Sequence, residues 1–326
     1  MTNSFTPEAI VSDYRNGKLN ARLALDLLIS IIEKSDNPEM RRKSILAFGN
    51  VENDDEKVFD LLESSLLSDE NAFVRAAAVD IIGQFYIKYG LKTLLWVIQH
   101  EKSPIVIQTI IKMVEDKTSH HLRSVVKAIS NWIEDFSTHI GVVSRESRFF
   151  LDLEVFFAQN RNNYEISHLT YDYYKKISCI NTNPWLIINN KHVETLYFNY
   201  FNWAFLKINQ DIMNSFINIR DLNTFLDLYK KFELRKIYAI PKSLKYLISL
   251  KRLILKGNNL RKFPEFLTEI ESLQELDLSY NNLREIPESI LKLKNLKILK
   301  LNHNINLQFG SNRMKSFLNS LQFFDR

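Results

Sequence analysis

The sequence predicts a mainly α N-terminal solenoid of paired helices and a C-terminal α/β solenoid with a short parallel sheet. Two observations predict this fold class: leucines recur with a fixed 23-residue step near the C-terminus, and amphipathic segments recur with a fixed 34-residue step near the N-terminus. Only seven glycines and seven prolines in 326 residues disfavour a loop-rich β-sandwich. We therefore expect domains at 1–140 and 184–326, joined by a connecting region at 141–183 of uncertain structure.

The C-terminal period holds at several positions of one unit, LxxLxLxxNxLxxIPxxIxxLxx. The matched sets are Leu250/Leu273/Leu296, Leu253/Leu276/Leu299, Leu255/Leu278/Leu301, Asn258/Asn281/Asn304 and Pro241/Pro264/Pro287. Leucines that alternate on a short strand point to one side, so they form a core. A buried asparagine can bond the backbone groups that a turn leaves unpaired.

This unit resembles the leucine-rich-repeat (LRR) family, in its short cytosolic variety. The resemblance implies stacked parallel strands over a continuous leucine core. Segments 194–199 and 224–229 look like degenerate strands of the same kind, so we expect about four or five repeats. Segment 311–324 is expected to form a helix that caps the open core.

The N-terminal period relates NPEMRRKSILAFG (37–49) to NAFVRAAAVDIIG (71–83), which aligns Arg41 with Arg75. Each segment follows a Ser-Asp pair, Ser35-Asp36 or Ser68-Asp69, that is expected to cap the helix. An amphipathic helix precedes each segment, at 21–34 and 56–67. A third pair is expected at 90–101 and 103–116, and a fourth begins near residue 124.

These paired helices resemble HEAT repeats over about residues 18–137, of the short kind also found in bilin-lyase-like proteins. The 34-residue step is shorter than the roughly 40–47 residues usual for HEAT. Tetratricopeptide repeats have the right length, but their Trp-x-x-Leu-Gly-x-x-Tyr pattern is absent. The resemblance therefore implies an architecture and no particular activity.

The middle of the chain has two interpretations. Segment 148–160 reads as a helix or a buried strand. Further on, aromatic residues either pack a junction between the solenoids or line a ligand pocket. They are Tyr171, Tyr173, Tyr174, Trp185, Phe201, Trp203 and Phe205.

No pattern of catalytic, metal-binding or cofactor-binding residues is found, so we predict a protein that is not an enzyme. His120 and His121 are adjacent and point to different faces, and no neighbouring ligand completes a metal site. Cys179 is the only cysteine, and a buried inert thiol is a better interpretation than a nucleophile activated by His168 or His192. A single cysteine, no signal peptide and no long apolar run predict a cytoplasmic protein without a membrane span.

Charge is banded along the C-terminal repeats. Nine basic and no acidic residues lie between Arg235 and Lys262, the next repeat is acidic, and lysines follow from Lys292 to Lys300. Solvated faces explain such bands, and so does a surface that selects a partner with complementary charge.

The outward strand positions of an LRR form its concave face, which is the usual binding surface of the family. The expected partner-binding residues form three rows: Arg252, Glu275 and Ile298; Ile254, Asp277 and Lys300; and Lys256, Ser279 and Asn302. The sequence thus favours a non-enzymatic adaptor or scaffold for a protein partner, such as a small GTPase or another signalling protein by family analogy.

Two alternatives remain. HEAT-like solenoids include DNA-binding base-repair enzymes and the chain is basic, with a net charge of +5. Many acidic residues in the helical half make nucleic acid the less favoured partner. A bilin-lyase-like protein is a weaker alternative that depends only on the short HEAT units.

Overall fold

The computed structural model describes residues 6–51, 56–116, 120–158, 186–197, 240–308 and 311–325. The described residues divide into two compact units, with the boundary between Trp132 and Ile133. This boundary lies before residue 140, where the sequence suggested the first domain ends. The seven aromatic residues of the two interpretations above, Cys179 and segment 224–229 lie outside the described residues.

The first unit is helical. Its helices are α1 (Pro7–Arg15), α2 (Ala21–Lys34), α3 (Pro38–Ala47), α4 (Glu56–Ser68), α5 (Ala72–Phe85), α6 (Ile87–His100), α7 (Pro104–Glu115) and the start of α8 (Arg123–Ile140). Helix α2 packs on α3 and α4 packs on α5, while α3, α5 and α7 pack in succession. The described helices thus form the stacked pairs that the N-terminal period predicts.

Asparagines, and not the predicted Ser-Asp pairs, cap the repeated helices. Asn37 accepts a hydrogen bond from the Glu39 N–H at 2.9 Å, and Asn71 accepts one from the Phe73 N–H at 2.9 Å. The expectation that Ser35-Asp36 and Ser68-Asp69 supply the caps was wrong, because the helices begin later. Asp69 is therefore available for another role.

Asp69 binds an arginine of the preceding helix pair. Arg41 on α3 donates to both Asp69 carboxylate oxygens at 2.8 and 3.0 Å, and to the Ser35 carbonyl at 2.9 Å. One repeat later, Arg75 on α5 donates to both Glu101 oxygens at 2.8 and 2.9 Å, and to the Asp69 carbonyl at 2.8 Å. These bidentate arginine–carboxylate interactions link consecutive helix pairs at equivalent positions of the repeat.

The second unit contains a six-stranded sheet. Its elements are the end of α8, α9 (Ser144–Ala158), β1 (Leu186–Asn189), β2 (His192–Tyr197), β3 (Arg252–Ile254), β4 (Glu275–Asp277), β5 (Ile298–Lys300), α10 (Asn312–Ser320) and β6 (Phe323–Asp325). The strands lie in sequence order; β1 and β2 are antiparallel and every later neighbour is parallel.

Leucines form the core beneath this sheet. Leu253, Leu276 and Leu299 lie side by side in register and are fully buried. Before each of β3, β4 and β5, a proline leads the chain into a 3-10 turn: Lys242–Tyr246, Glu265–Glu269 and Glu288–Lys292, respectively. Proline suits this entry because its fixed φ needs no ladder hydrogen bond.

Buried asparagines hold each turn, as the sequence predicts. The Asn281 amide nitrogen donates to the carbonyls of Leu255, Leu278 and Ser279 at 2.9–3.2 Å. Its oxygen accepts from the Asn258 and Leu260 N–H groups at 2.9 and 3.0 Å. One side chain thereby satisfies backbone groups of two consecutive repeats.

The two ends of the sheet differ from the sequence expectation. The neighbour of β3 is β2, whose Thr195 pairs with Arg252 and which overlaps the degenerate strand suggested at 194–199, whereas the sequence suggested a further strand at 224–229 between them. Segment 311–324 contains the predicted helix, but it ends in strand β6, which pairs with β5. Segment 148–160, left open between helix and strand, is helical from α9 up to Ala158.

Candidate protein-interaction surface

We use the name strand face for the outward side chains of β3, β4 and β5 with the residues that directly follow them. The ladder places Arg252 beside Glu275 and Glu275 beside Ile298, and it places Ile254, Asp277 and Lys300 in the next row. Six of the nine residues that the sequence selected therefore lie in two rows across the sheet, and Lys256, Ser279 and Asn302 follow the ends of the strands.

Ion pairs fix the centre of the strand face. The Glu275 carboxylate lies 3.3 Å from Arg252 Nε and 3.2 Å from Lys300 Nζ. Only 15% of the Glu275 side chain is exposed, against 56% for Arg252 and 34% for Lys300. One carboxylate between two cations leaves a net positive charge at the two more exposed positions.

Asp277 and Ser279 are buried, contrary to the expectation that they are available to a partner. Asp277 Oδ1 accepts from the Ser279 N–H at 2.9 Å and from the Ser279 hydroxyl at 2.5 Å. Both residues are less than a tenth exposed. Their alternation on the strand is as predicted, but the hydrogen bonds fold both side chains against the backbone.

The remaining selected residues differ in accessibility. Arg252 and Lys256 are exposed, and Ile254, Glu275, Ile298, Lys300 and Asn302 are half-buried. The Asn302 Oδ1 atom is buried and has no hydrogen-bond partner among the described residues. The accessible surface thus combines cations with two isoleucines, a mixture that is common at protein interfaces.

Beyond the strands, an aromatic stack continues the surface. The rings of Tyr280 and His303 lie 4.0 Å apart, and Lys256 Nζ lies 4.6 Å from the centre of the Tyr280 ring. Tyr280 is 49% exposed. The sequence analysis missed both aromatic residues because it considered strand positions only.

Tyr280 and His303 have a left-handed backbone, with φ of 57° and 59°. The equivalent position of the preceding repeat is Gly257, with φ of 73°. A bulky residue in this conformation costs roughly 1–3 kcal/mol, and such residues are frequent at functional sites. The signal was present in the sequence, because Gly257, Tyr280 and His303 keep the 23-residue step.

At the β1 edge of the sheet, helix α9 contacts the β1–β2 hairpin through hydrogen bonds. The buried Glu146 carboxylate accepts from the Val193 N–H at 2.8 Å and lies 2.9 Å from His192 Nδ1. The hairpin turn at Asn190 and Lys191 has positive φ at both positions, as a type I′ turn requires. Burial raises the pKa of Glu146, against the opposing hydrogen bonds from Val193 and His192.

The helical unit has an exposed stripe on α6 that the sequence analysis did not recognise. Its members are Lys88, Tyr89, Lys92, Trp96 and His100. Tyr89 is 73% exposed, and the ring of Trp96 stacks on His100 with centres 4.2 Å apart. The stripe interleaves cations with aromatic rings, but it is one helix long.

Among the described residues, no cluster of three or more histidine, cysteine or carboxylate side chains is arranged to hold a metal ion. His121 lies in the described part of the chain and Cys179 does not. None of the described helices is long and apolar enough to cross a membrane.

Comparison with known families matches the helical unit. The family model described as HEAT repeats matches residues 17–83, which extend from just before α2 through most of α5. Comparison with curated proteins gives no significant match. The predicted HEAT repeats are therefore confirmed for residues 17–83.

Proposed function

We propose that this chain is a non-enzymatic cytoplasmic scaffold whose C-terminal unit is an LRR solenoid that binds a protein partner on the strand face. HEAT repeats are typical of interaction scaffolds, which supports the same role for the N-terminal unit. The observation that carries the proposal is the strained, exposed stack of Tyr280 and His303 beside the paired cations of the strand face. By family analogy, a small GTPase or another signalling protein is the partner to test first.

The accessible isoleucines of the strand face offer the sharpest test. Reversing Arg252 and Lys300 would leave Glu275 beside new carboxylates, so loss of binding could reflect unfolding. Ile254→Arg with Ile298→Arg introduces bulk and charge at two half-buried positions and removes none of the three ion-paired side chains. Ile248→Arg with Leu291→Arg is the matched control, because both residues lie outside the strands.

The measurement is affinity capture from a lysate of the source cells, with the captured proteins identified by mass spectrometry. We expect a partner that the native chain and the control variant retain and that the strand-face variant loses by more than tenfold. Capture of the same proteins by all three chains would refute binding at this face.

The α6 stripe favours nucleic acid as a second candidate partner. Aromatic side chains between cations can stack on bases while the cations contact phosphates. Tyr89→Ala with Trp96→Ala would then weaken a gel shift of single-stranded DNA, and the native affinity would fall steeply with salt. An unchanged shift in the variant would remove this candidate.

A further inference from the structure

The turns that follow strands β3, β4 and β5 form a second surface, which we name the turn edge. It consists of Lys256, Arg261, Lys262, Tyr280, Arg284 and His303. All six are exposed, and they lie beyond the ion-paired centre of the strand face. The proposed function of this unit is to bind a protein partner, and the turn edge bears on which chemical groups that partner presents.

Backbone hydrogen bonds stack these turns in register. The Gly257 N–H donates to the Ser279 carbonyl at 3.0 Å, and the Tyr280 N–H donates to the Asn302 carbonyl at 2.9 Å. Further along, the Asn282 N–H donates to the Leu260 carbonyl at 2.8 Å. Arg261 and Arg284 occupy the same position of consecutive repeats, so two like charges are neighbours on this edge.

Among the described residues, the cations of the turn edge have no carboxylate in ion-pair contact. On the strand face, Arg252 and Lys300 both pair with Glu275. By contrast, Lys256, Arg261, Lys262 and Arg284 form no ion pair within the described part of the chain. Glu285, next to Arg284, is exposed and forms no ion pair among the described residues, so four cations are accompanied by one carboxylate in these turns. Clustered unpaired charge of one sign repels itself and attracts an anionic ligand.

The aromatic stack indicates which anion fits. Lys256 belongs to the preceding repeat and His303 to the following one, and both lie against the Tyr280 ring. These contacts already use much of the ring surface that a nucleotide base would need for stacking. The tyrosine hydroxyl, the imidazole and the lysine ammonium instead offer polar groups in a row, next to arginines that bind carboxylates with two hydrogen bonds.

We propose that the turn edge binds an acidic, carboxylate-rich peptide segment of the protein partner. This inference depends on the proposed function and gives the chemistry of the partner. The arginines would pair with glutamate or aspartate side chains, and Tyr280 with His303 would hydrogen-bond the same segment. Tyr280 and His303 both have a left-handed backbone, a conformation that normally favours glycine. This backbone conformation places both rings at the turn edge.

The test is a fluorescence-anisotropy titration of the full-length chain with fluorescein-labelled deca-glutamate in about 50 mM salt, where surface charge is weakly screened. The variant is Lys256→Glu with Arg261→Glu and Arg284→Glu. We expect it to bind at least tenfold more weakly than the native chain. The matched control, Lys292→Glu with Lys294→Glu and Lys297→Glu, changes the net charge equally at exposed lysines that are not part of the turn edge and should bind within about threefold of native.

Three results would overturn the proposal: no binding by the native chain, equal loss in both variants, or equally tight binding of a single-stranded deoxythymidine decamer with the same loss in the turn-edge variant. The last would indicate nucleic acid as the ligand. A second variant, Arg261→Gln with Arg284→Gln, should still weaken binding and guards against misfolding of the reversed chain. Lysate capture that depends on Ile254 and Ile298 without deca-glutamate binding would leave the proposed function standing and remove this inference alone.

Discussion

Asn281 shows how one side chain can determine the path of the backbone. Its amide lies in the leucine core, where an unpaired N–H or carbonyl group would have no water to bond. It makes hydrogen bonds with five backbone groups from two repeats. Asn304 repeats part of this arrangement, donating to the carbonyls of Leu278 and Leu301. The periodic asparagine is therefore a structural residue and not a binding residue.

Asn281→Ala should be strongly destabilising. It removes the side-chain acceptor of the Asn258 and Leu260 N–H groups and the side-chain donor to the Leu255 carbonyl, while the Leu278 and Ser279 carbonyls keep hydrogen bonds from Asn304 and Gly257. We expect a loss of about 2–5 kcal/mol in the free energy of unfolding. The side chain of the adjacent Asn282 is exposed and bonds Asn259, so Asn282→Ala should change stability by less than about 0.5 kcal/mol. Urea unfolding of both variants measures the difference; equal losses would contradict the role given to Asn281.

Glu146 should make the stability of the second unit depend on pH. Burial raises its folded-state pKa above the ordinary value of 4.5, so the folded state binds the proton more tightly than the unfolded state. The stabilisation is complete below about pH 4.5 and is lost as pH rises through the raised pKa. The native chain should therefore lose stability relative to Glu146→Gln over this interval, because glutamine has no proton to release.

The measurement is urea unfolding of both chains at several pH values between 4 and 8. Glu194→Gln is a control of opposite sign, because the Lys251 ammonium lowers the pKa of Glu194. The stabilisation that Glu194 contributes to the folded state is present above the ordinary carboxyl pKa. It is lost as pH falls through the lowered folded-state pKa of Glu194. If the difference in unfolding free energy between the native chain and Glu146→Gln does not change with pH, burial does not raise the pKa of Glu146.

At the scale of the element, the helix pairs of the first unit are joined by arginine–carboxylate pairs. The Arg41 and Asp69 side chains are only 11% and 9% exposed. Hydrogen bonding to Asp69 raises the pKa of Arg41, so the guanidinium stays charged at any accessible pH. The neighbouring Arg42 pairs with Glu39 on its own helix and is considerably more exposed.

These adjacent arginines provide a matched pair of substitutions. Arg41→Ala leaves a nearly buried carboxylate without its cation, and we expect it to lower the unfolding free energy of the helical unit by roughly 2–4 kcal/mol. Arg42→Ala removes an exposed pair and should cost less than about 0.5 kcal/mol. Helical circular dichroism in urea distinguishes them; similar midpoints would mean that the joint between helix pairs contributes little.

The sequence predicts the elements that recur with a fixed step along the chain, and it does not predict those that lie outside the repeat. The alignment of Arg252 with Glu275 and Ile298 follows from the 23-residue step, so the rows of the strand face could be predicted. The pairing of β2 with β3 could not, because no period relates Thr195 to Arg252. The burial of Asp277 and Ser279 was also missed, because alternation gives the direction of a side chain and not its hydrogen bonds.

At the scale of the whole molecule, each compact unit must close its own core. In the second unit, α9 packs on the first 3-10 turn and α10 packs on the last. Met314 and Leu318 of α10 are buried, although most other residues of the helix are polar. A repeat core that ends without such a cover would expose its leucines to water.

Leu318→Ala should therefore loosen the sheet from its C-terminal end. We expect a loss of roughly 2–3 kcal/mol, as for other buried leucines. In hydrogen exchange, the Leu301 amide, which donates to Asp325, should lose more protection than the Leu255 amide, which donates to Asp277. Asn319→Ala, at an exposed position of the same helix, is the control. A uniform loss of protection along the sheet would instead mean that the repeats unfold as a single block.

The long separation between β2 and β3 has a kinetic consequence. Strands β3, β4 and β5 join segments that are one repeat apart, whereas closing β2 onto β3 must bring together Thr195 and Arg252, which are more than twice as distant along the unfolded chain. Each doubling of such a loop costs about 0.6 kcal/mol of closure entropy, and non-local contacts form late. We therefore expect folding of this sheet to nucleate among the regular repeats and to finish when the hairpin docks.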